Sequence, residues 1–261
     1  MMAAARPPRG VALVEGLALP VLLVAFWDLS SRLGWLDGQV WAAPGVVLAG
    51  GVGQAFAAET WIGLGHSLFR HALGFVLGAL AGTGVGFALG ASRVFERLFG
   101  PVLNATKQVA IFTWIPLMSI WLGTGETAKV AFVALAVFFP LMISAAEGVR
   151  AIDPRFVEVA RAFRLTRWQR LRRLVLPGAM PALVGGVQVG LIYAWLAVIG
   201  ADYFFEAAPG LGSQMLNARD QFRMDILVFD MLVIGGVGLL FLRLAGALEA
   251  RVLRWRPRAA R

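Results

Sequence analysis

The chain has 261 residues, of which 59% are hydrophobic and 15% charged, and its mean hydropathy is +0.75. This composition argues against a soluble enzyme and indicates an integral membrane protein, most simply one polytopic all-α domain over residues 1–261. The sequence contains no cysteine, which excludes disulfides and thiolate metal sites. A net charge of +9 would also fit a nucleic-acid-binding protein, so the positions of the basic residues must decide.

Six apolar runs predict six membrane-spanning helices. In chain order they cover residues 11–27, 72–92, 101–123, 130–146, 182–201 and 226–242. Weak helical periodicity near residues 46–56 predicts a surface or interfacial helix between the first two spans. The second span is rich in glycine, which would let another helix approach closely. These glycines are Gly74, Gly78, Gly82, Gly84, Gly86 and Gly90.

The basic residues are distributed unequally across the predicted membrane. With six spans both termini lie on one side, and eighteen arginines lie on that side, against five basic residues on the other. The positive-inside rule therefore predicts cytoplasmic termini and a cytoplasmic loop at 152–181. Because the charge clusters beside spans and is not interleaved with stacking aromatics, we do not expect nucleic acid as a partner.

The 152–181 loop is basic and amphipathic, and its first part predicts a short helix. Asp153 can cap free backbone N–H groups, and Pro154 suits the first helical position. The helix should run to about Phe163. Its apolar residues recur at intervals of three and four and are predicted to share one face. These residues are Phe156, Val159, Ala160 and Phe163.

A tight turn and a second helix should follow in the same loop. The turn falls at Arg164 and Leu165, and Thr166 with Gln169 has the spacing of a capping box. We expect the proline of the Leu176–Pro177 pair to end or kink this second helix before the next apolar run.

The loop resembles the EAA loop of ABC importer permeases, written E-A-A, three residues, G, nine residues, I-x-L-P. Glu158, Ala160, Leu176 and Pro177 match the pattern, with Leu174 in the isoleucine position. Val159 replaces the first alanine. Arg164 replaces the glycine, where a left-handed conformation should cost a non-glycine residue about 1 kcal/mol.

Two further stretches resemble the nitrate, sulfonate and taurine branch of these permeases. They are residues 114–129 and 209–225, and the family core is expected at about 67–245. The resemblance implies a type I ABC importer permease in the bacterial cytoplasmic membrane. The expected solute is a small anion or zwitterion such as nitrate, an aliphatic sulfonate or taurine.

The resemblance also implies a set of partners. Two copies of the chain would form a homodimer surrounded by membrane lipid, with two ATPase subunits that use ATP and Mg²⁺ and a periplasmic or lipid-anchored solute-binding protein. The loop would be a coupling helix docked on the ATPase; the alternative is a basic helix on anionic headgroups. The implied docking residues are Phe156, Glu158, Ala160, Phe163, Arg164, Leu176 and Pro177.

Few polar residues lie in the spans, and these are the candidates for a translocation pathway. Lys107, between Asn104 and Gln108, is expected inside the third span, where it would either face a water-filled pathway or extend to the interface. Gln188 and Trp195 are seven residues apart and share a helix face, as pathway or as packing residues. Asp202 and Asp230 are expected near external span ends and solvated. His66 and His71 lack the spacing of a metal site.

The sequence lacks the motifs of an enzyme. It has no phosphate-binding G-x-x-x-x-G-K-S/T, G-x-S-x-G or H-E-x-x-H motif, so we expect no catalytic residues and no bound cofactor. The alternative function is an ion- or proton-coupled secondary transporter, although neither inverted repeats nor paired intramembrane acids are apparent.

Overall fold

A computed structural model describes residues 9–35, 41–205 and 209–254, with side chains from residue 18 onward. These ranges contain helices and no strand, which confirms the predicted all-α fold. The first six helices are α1 (Arg9–Arg32), α2 (Pro44–Phe56), α3 (Ala58–Ala91), α4 (Arg93–Thr106), α5 (Ile115–Leu122) and α6 (Glu126–Arg150). The other five are α7 (Pro154–Ala162), α8 (Arg167–Arg170), α9 (Leu176–Phe204), α10 (Leu211–Asp220) and α11 (Met224–Val252).

Four helical stretches in these ranges are long and apolar enough to cross a membrane. They are Ala58–Ala91, Glu126–Arg150, Arg167–Phe204 and Met224–Val252, and they correspond to the second, fourth, fifth and sixth predicted spans. The first predicted span lies within α1, and the predicted interfacial helix is α2.

The third predicted span is not one helix, so this prediction was wrong. Helix α4 ends at Thr106, Ala110 is extended, and a 3-10 turn at Ile111–Trp114 precedes α5. Residues 109–115 are rich in β-branched and aromatic side chains, and Pro116 lacks a backbone donor. These residues are apolar enough to predict a membrane span, but their conformational preferences do not favour an unbroken helix.

The chain divides into two compact units, each made of residues that pack mainly against one another. The smaller unit combines residues up to Thr60 with Gln214–Val233. Within it, the indole Nε1 of Trp27 donates to the carbonyl of Ala42 at 3.0 Å. Glycine allows α2 to approach the start of α11 closely, because a Cβ at Gly50 would lie 2.5 Å from a carboxylate oxygen of Asp225.

The larger unit, Trp61–Ser213 with residues from Ile234 onward, contains a close contact between α3 and α6. A glycine at every fourth position of α3 faces α6: Gly74, Gly78, Gly82, Gly86 and Gly90. A Cβ at the middle three would lie 2.3 Å from a carbonyl oxygen of α6. The predicted close approach is confirmed for these five, whereas no described residue outside the adjoining turns of α3 lies within 4 Å of the Cβ position of Gly84.

Candidate functional site

Helix α7 opens the 152–181 loop with the predicted cap. A carboxylate oxygen of Asp153 accepts a hydrogen bond from the backbone N–H of Arg155 at 2.8 Å, and Pro154 occupies the first turn. The helix ends at Ala162 with Phe163 as its C-cap. The cap and the bounds of this short helix are therefore confirmed.

The turn after α7 keeps the geometry that the motif glycine would adopt, although the residue is arginine. Arg164 has φ 48°. The N–H of Leu165 donates to the carbonyl of Ala160 at 3.0 Å, and the N–H of Arg164 donates to Arg161 at 2.9 Å. These two bonds form a Schellman motif. The left-handed strain of about 1 kcal/mol is thus tolerated at this position.

The second helix of the loop begins as predicted, and it does not end at the Leu176–Pro177 pair. Thr166 and Gln169 form the capping box, with reciprocal bonds of 3.0 and 3.3 Å. The chain then passes through a π-helical turn at Leu171–Val175 into α9 without a break. A wider turn just before Pro177 accommodates the missing donor and the bulk of the proline ring, so the helix continues past the proline.

One face of α7 is apolar and exposed. Phe156, Val159 and Phe163 are 62%, 52% and 76% exposed, and we call these three residues the docking face. Ala160, predicted to belong to this face, is only 5% exposed and packs inward. Glu158 and Arg164 are exposed on the same helix and turn, and Leu176 and Pro177 are exposed at the start of α9.

A cavity of about 520 Å³ lies beside the middle of α6 and α9. Lys107 and Gln108, from the turn after α4, are part of its wall. Ser144 and Tyr193 supply two more polar side chains that sequence reasoning missed, because neither stands out inside an apolar span. The other lining residues are Val109, Ala110, Ile111, Leu135, Ala136, Phe139, Pro140, Ile143 and Val189.

The other predicted pathway residues do not line this cavity. Asn104 is exposed on α4. The amide of Gln188 donates to Glu249 at 2.8 Å, and the indole of Trp195 donates to the carbonyl of Ile234 at 3.0 Å. Both residues therefore contact α11, and the residues of α9 at the cavity are instead Val189 and Tyr193.

A buried charge cluster lies at the end of α6 and α9 that is opposite to the 152–181 loop. Asp202 accepts hydrogen bonds on one oxygen from Arg70 at 2.9 Å and from Lys129 at 2.7 Å. Arg70 also binds Glu126 through two nitrogens, at 2.5 and 2.7 Å. The side chains of Arg70, Lys129 and Asp202 are fully buried, whereas that of Glu126 is 44% exposed.

The charge cluster also fixes the start of α10. The second carboxylate oxygen of Asp202 accepts from the N–H of Gly212 at 3.2 Å, and Ser67 accepts from the N–H of Leu211 at 3.1 Å. With two cations and two carboxylates, the cluster is charge-balanced. Such a network holds helices in register when every partner is present.

Two expectations about acidic residues were wrong. Asp202 is not solvated, because it lies in the charge cluster, and Asp230 on α11 is fully buried and has no hydrogen-bond partner within the part of the chain that the structure describes. His71 is also buried, with its ring stacked on Phe241 at 4.1 Å. No group of three potential metal ligands occurs among the described side chains.

The described ranges form an all-α fold with four helical stretches long and apolar enough to cross a membrane. This fold is similar to a solved structure, that of the inward-facing MetNI methionine ABC transporter. The TM-score is 0.66 with 18% identity, over 74% of this chain and 96% of that one.

Residues 74–254 match the family described as the binding-protein-dependent transport system inner membrane component. The chain belongs to this family, and its predicted resemblance is confirmed. It is 34% identical to the putative aliphatic sulfonates transport permease SsuC of Escherichia coli K12, over 92% of this chain and 90% of that protein.

Two other relatives carry different solute names. The taurine transport permease TauC of E. coli K12 is 31% identical, over 76% of this chain and 72% of that protein. The riboflavin transport permease RibX of Chloroflexus aurantiacus is 32% identical, over 92% of this chain and 90% of that protein. The chain is thus a multi-pass inner-membrane permease, and its family implies ATPase and solute-binding partners.

Proposed function

We propose that this permease is a homodimeric membrane subunit of an ATP-driven importer, with two ATPase subunits on the side of the 152–181 loop. That side and both termini are cytoplasmic. The ATPase subunits bind ATP and Mg²⁺, and this chain binds no cofactor. A periplasmic or lipid-anchored binding protein delivers the solute to the opposite side.

The docking face is the observation that carries the proposal. Phe156, Val159 and Phe163 are well exposed on a helix whose two ends are fixed by the Asp153 cap and the turn at Arg164. A short, pre-formed helix with an exposed apolar face suits insertion into a groove of a partner, since little ordering entropy is lost on binding. Glu158 and Arg164 would supply polar contacts at the rim, and Leu176 and Pro177 would connect the docked loop to α9.

Ala160 supports the docking face from behind. Because it is buried and its carbonyl accepts the bond from Leu165, a charge at this position would disturb the loop itself. An Ala160→Asp variant would therefore report on loop folding and not on docking. The exposed phenylalanines give a cleaner test.

The experiment is co-purification of the tagged chain from gently solubilised native membranes, followed by mass spectrometry. We expect a P-loop ATPase to co-elute with the wild type and to be lost from the Phe156→Ala/Phe163→Ala variant. Trp168→Ala is the matched control, since Trp168 is another exposed aromatic of the same loop. An ATPase that is retained by the double variant, or never recovered at all, would contradict the docking proposal. In the latter case, uptake that needs an ion gradient and no ATP would favour a secondary transporter.

We also propose that the solute is a small anion. Lys107 lies at the cavity, and no carboxylate of the described ranges forms an ion pair with it. An anion would find its counter-charge there. The solutes named for the aliphatic sulfonate and taurine relatives carry an anionic sulfonate group.

Uptake of sulfonate in intact cells tests this solute class. Lys107→Gln should reduce uptake strongly, and Lys107→Arg should retain most of it because the charge is kept. Equal uptake by the wild type and by Lys107→Gln would show that Lys107 only extends to the interface.

A further inference from the structure

The chemistry of the cavity wall is more specific than a preference for anions. We infer that the permease cavity itself binds organic anions that carry an apolar chain and selects against solutes that also carry an ammonium group. This inference rests on the proposed anion transport. It adds a selection step in the membrane to whatever selection the binding protein makes.

The polar groups of the cavity come from three elements. Lys107 and Gln108 follow α4, Ser144 lies on α6 and Tyr193 lies on α9. Lysine, amide and hydroxyl groups can all donate hydrogen bonds to a charged oxyanion head. Together they suit a group with several acceptor oxygens, such as a sulfonate.

The apolar part of the wall is continuous along α6. Leu135, Phe139 and Ile143 recur at intervals of four and so share one helix face, and Val189 lies across from them on α9. A volume of about 520 Å³ lies within the range of small-molecule sites. The wall can therefore cover an alkyl chain, whereas an inorganic anion would use only the polar groups.

The charges of the wall explain the selection against ammonium groups. Among the described residues, the cavity wall includes one cation, Lys107, and no carboxylate. An ammonium group carried into this cavity would lose water without gaining a counter-charge, and it would be repelled by Lys107. A zwitterion such as taurine should therefore bind more weakly than an alkanesulfonate of similar length.

Direct binding to the purified permease complex, without the binding protein, tests the inference. Labelled butanesulfonate is the probe, with taurine, propanesulfonate and nitrate as competitors. We expect nitrate to compete about tenfold less well than unlabelled butanesulfonate, or worse, and taurine to compete about tenfold less well than propanesulfonate, which has the same number of chain atoms. Lengthening the alkyl chain should tighten binding by about fourfold per buried methylene until the cavity is filled.

A gain of function gives the sharper test. Ser144→Asp places a carboxylate in the wall and should shift the preference toward taurine by about tenfold. Ser119→Asp is the matched control, because Ser119 lies on α5 and is not a lining residue. Size-exclusion profiles and retained ATPase co-elution confirm that both variants are folded.

Several outcomes would overturn the inference. One is butanesulfonate binding that is unchanged in Lys107→Gln, and another is taurine that competes as well as propanesulfonate. A third is an equal shift of preference toward taurine in Ser144→Asp and Ser119→Asp. A complex that imports an anion but binds no butanesulfonate would overturn this inference and leave the proposed function standing. Loss of ATPase co-elution from the wild type would instead count against the proposed function.

Discussion

The charged side chains at the two ends of α6 and α9 differ in burial. At one end Arg70, Lys129 and Asp202 are buried and paired with one another. At the other end the 152–181 loop exposes its arginines and the apolar docking face to solvent. Buried pairs require all their partners within the chain, whereas exposed groups stay available to another molecule. The comparison predicts that substitutions in the charge cluster lower the folding stability, whereas substitutions in the docking face weaken binding of a partner.

The largest expected effect is at the charge cluster. Asp202→Ala removes the acceptor shared by Arg70 and Lys129 and leaves buried positive charge unbalanced, which should cost about 3 to 5 kcal/mol of folding stability. The measurement is the thermal unfolding midpoint in detergent. Asp220→Ala is the control, because its pair with Arg219 is exposed and should contribute about 0 to 1 kcal/mol. Equal shifts in the two variants would contradict the account of the cluster.

A smaller effect is expected where α3 meets α6. Gly82→Ala would place a Cβ 2.3 Å from the carbonyl oxygen of Phe138, and the two helices must separate, at a cost of about 1 to 3 kcal/mol. Gly84→Ala is the matched control, because a Cβ there would meet no described residue of another helix within 4 Å, so alanine should keep or raise the unfolding midpoint. A midpoint that falls equally in both variants would contradict the close-packing account, because alanine favours a helix over glycine at both positions.

The smallest effect is expected at the turn of the loop. Arg164→Gly relieves the left-handed strain and should stabilise the loop locally by about 1 kcal/mol. Slower hydrogen exchange of the α7 amides would report this change. Arg164→Ala keeps the strained conformation, so the α7 amides of this variant should exchange at the wild-type rate. Slower exchange in Arg164→Ala as well would mean that the arginine charge matters and the strain does not.

Local patterns predicted local structure well. The sequence predicted the cap at Asp153, the turn at Arg164 and the capping box at Thr166. Each of these features depends only on residues within a few positions of one another. A close approach of another helix to the second span was also predicted from its glycines, and the structure identifies that helix as α6. These features need no knowledge of which helices are neighbours.

Features that depend on helix neighbours were missed. Arg70 and Asp202 are 132 residues apart, and Lys129 and Asp202 are 73 apart, so spacing could not reveal that they pair. Hydropathy alone merged α4 and α5 into one span, and it could not anticipate the π-helical turn that carries α9 past Pro177. For the same reason Tyr193 and Ser144 were recognised at the cavity only in the structure.

The most direct test of the central claim is site-specific cross-linking at the docking face. Phe163→Cys, labelled with a short photo-reactive group in native membranes, should cross-link to a P-loop ATPase, and Trp168→Cys in the same loop should do so far less. Cross-links to lipid alone from both positions, with no protein adduct at residue 163, would contradict docking. That result would place the basic loop on the membrane surface.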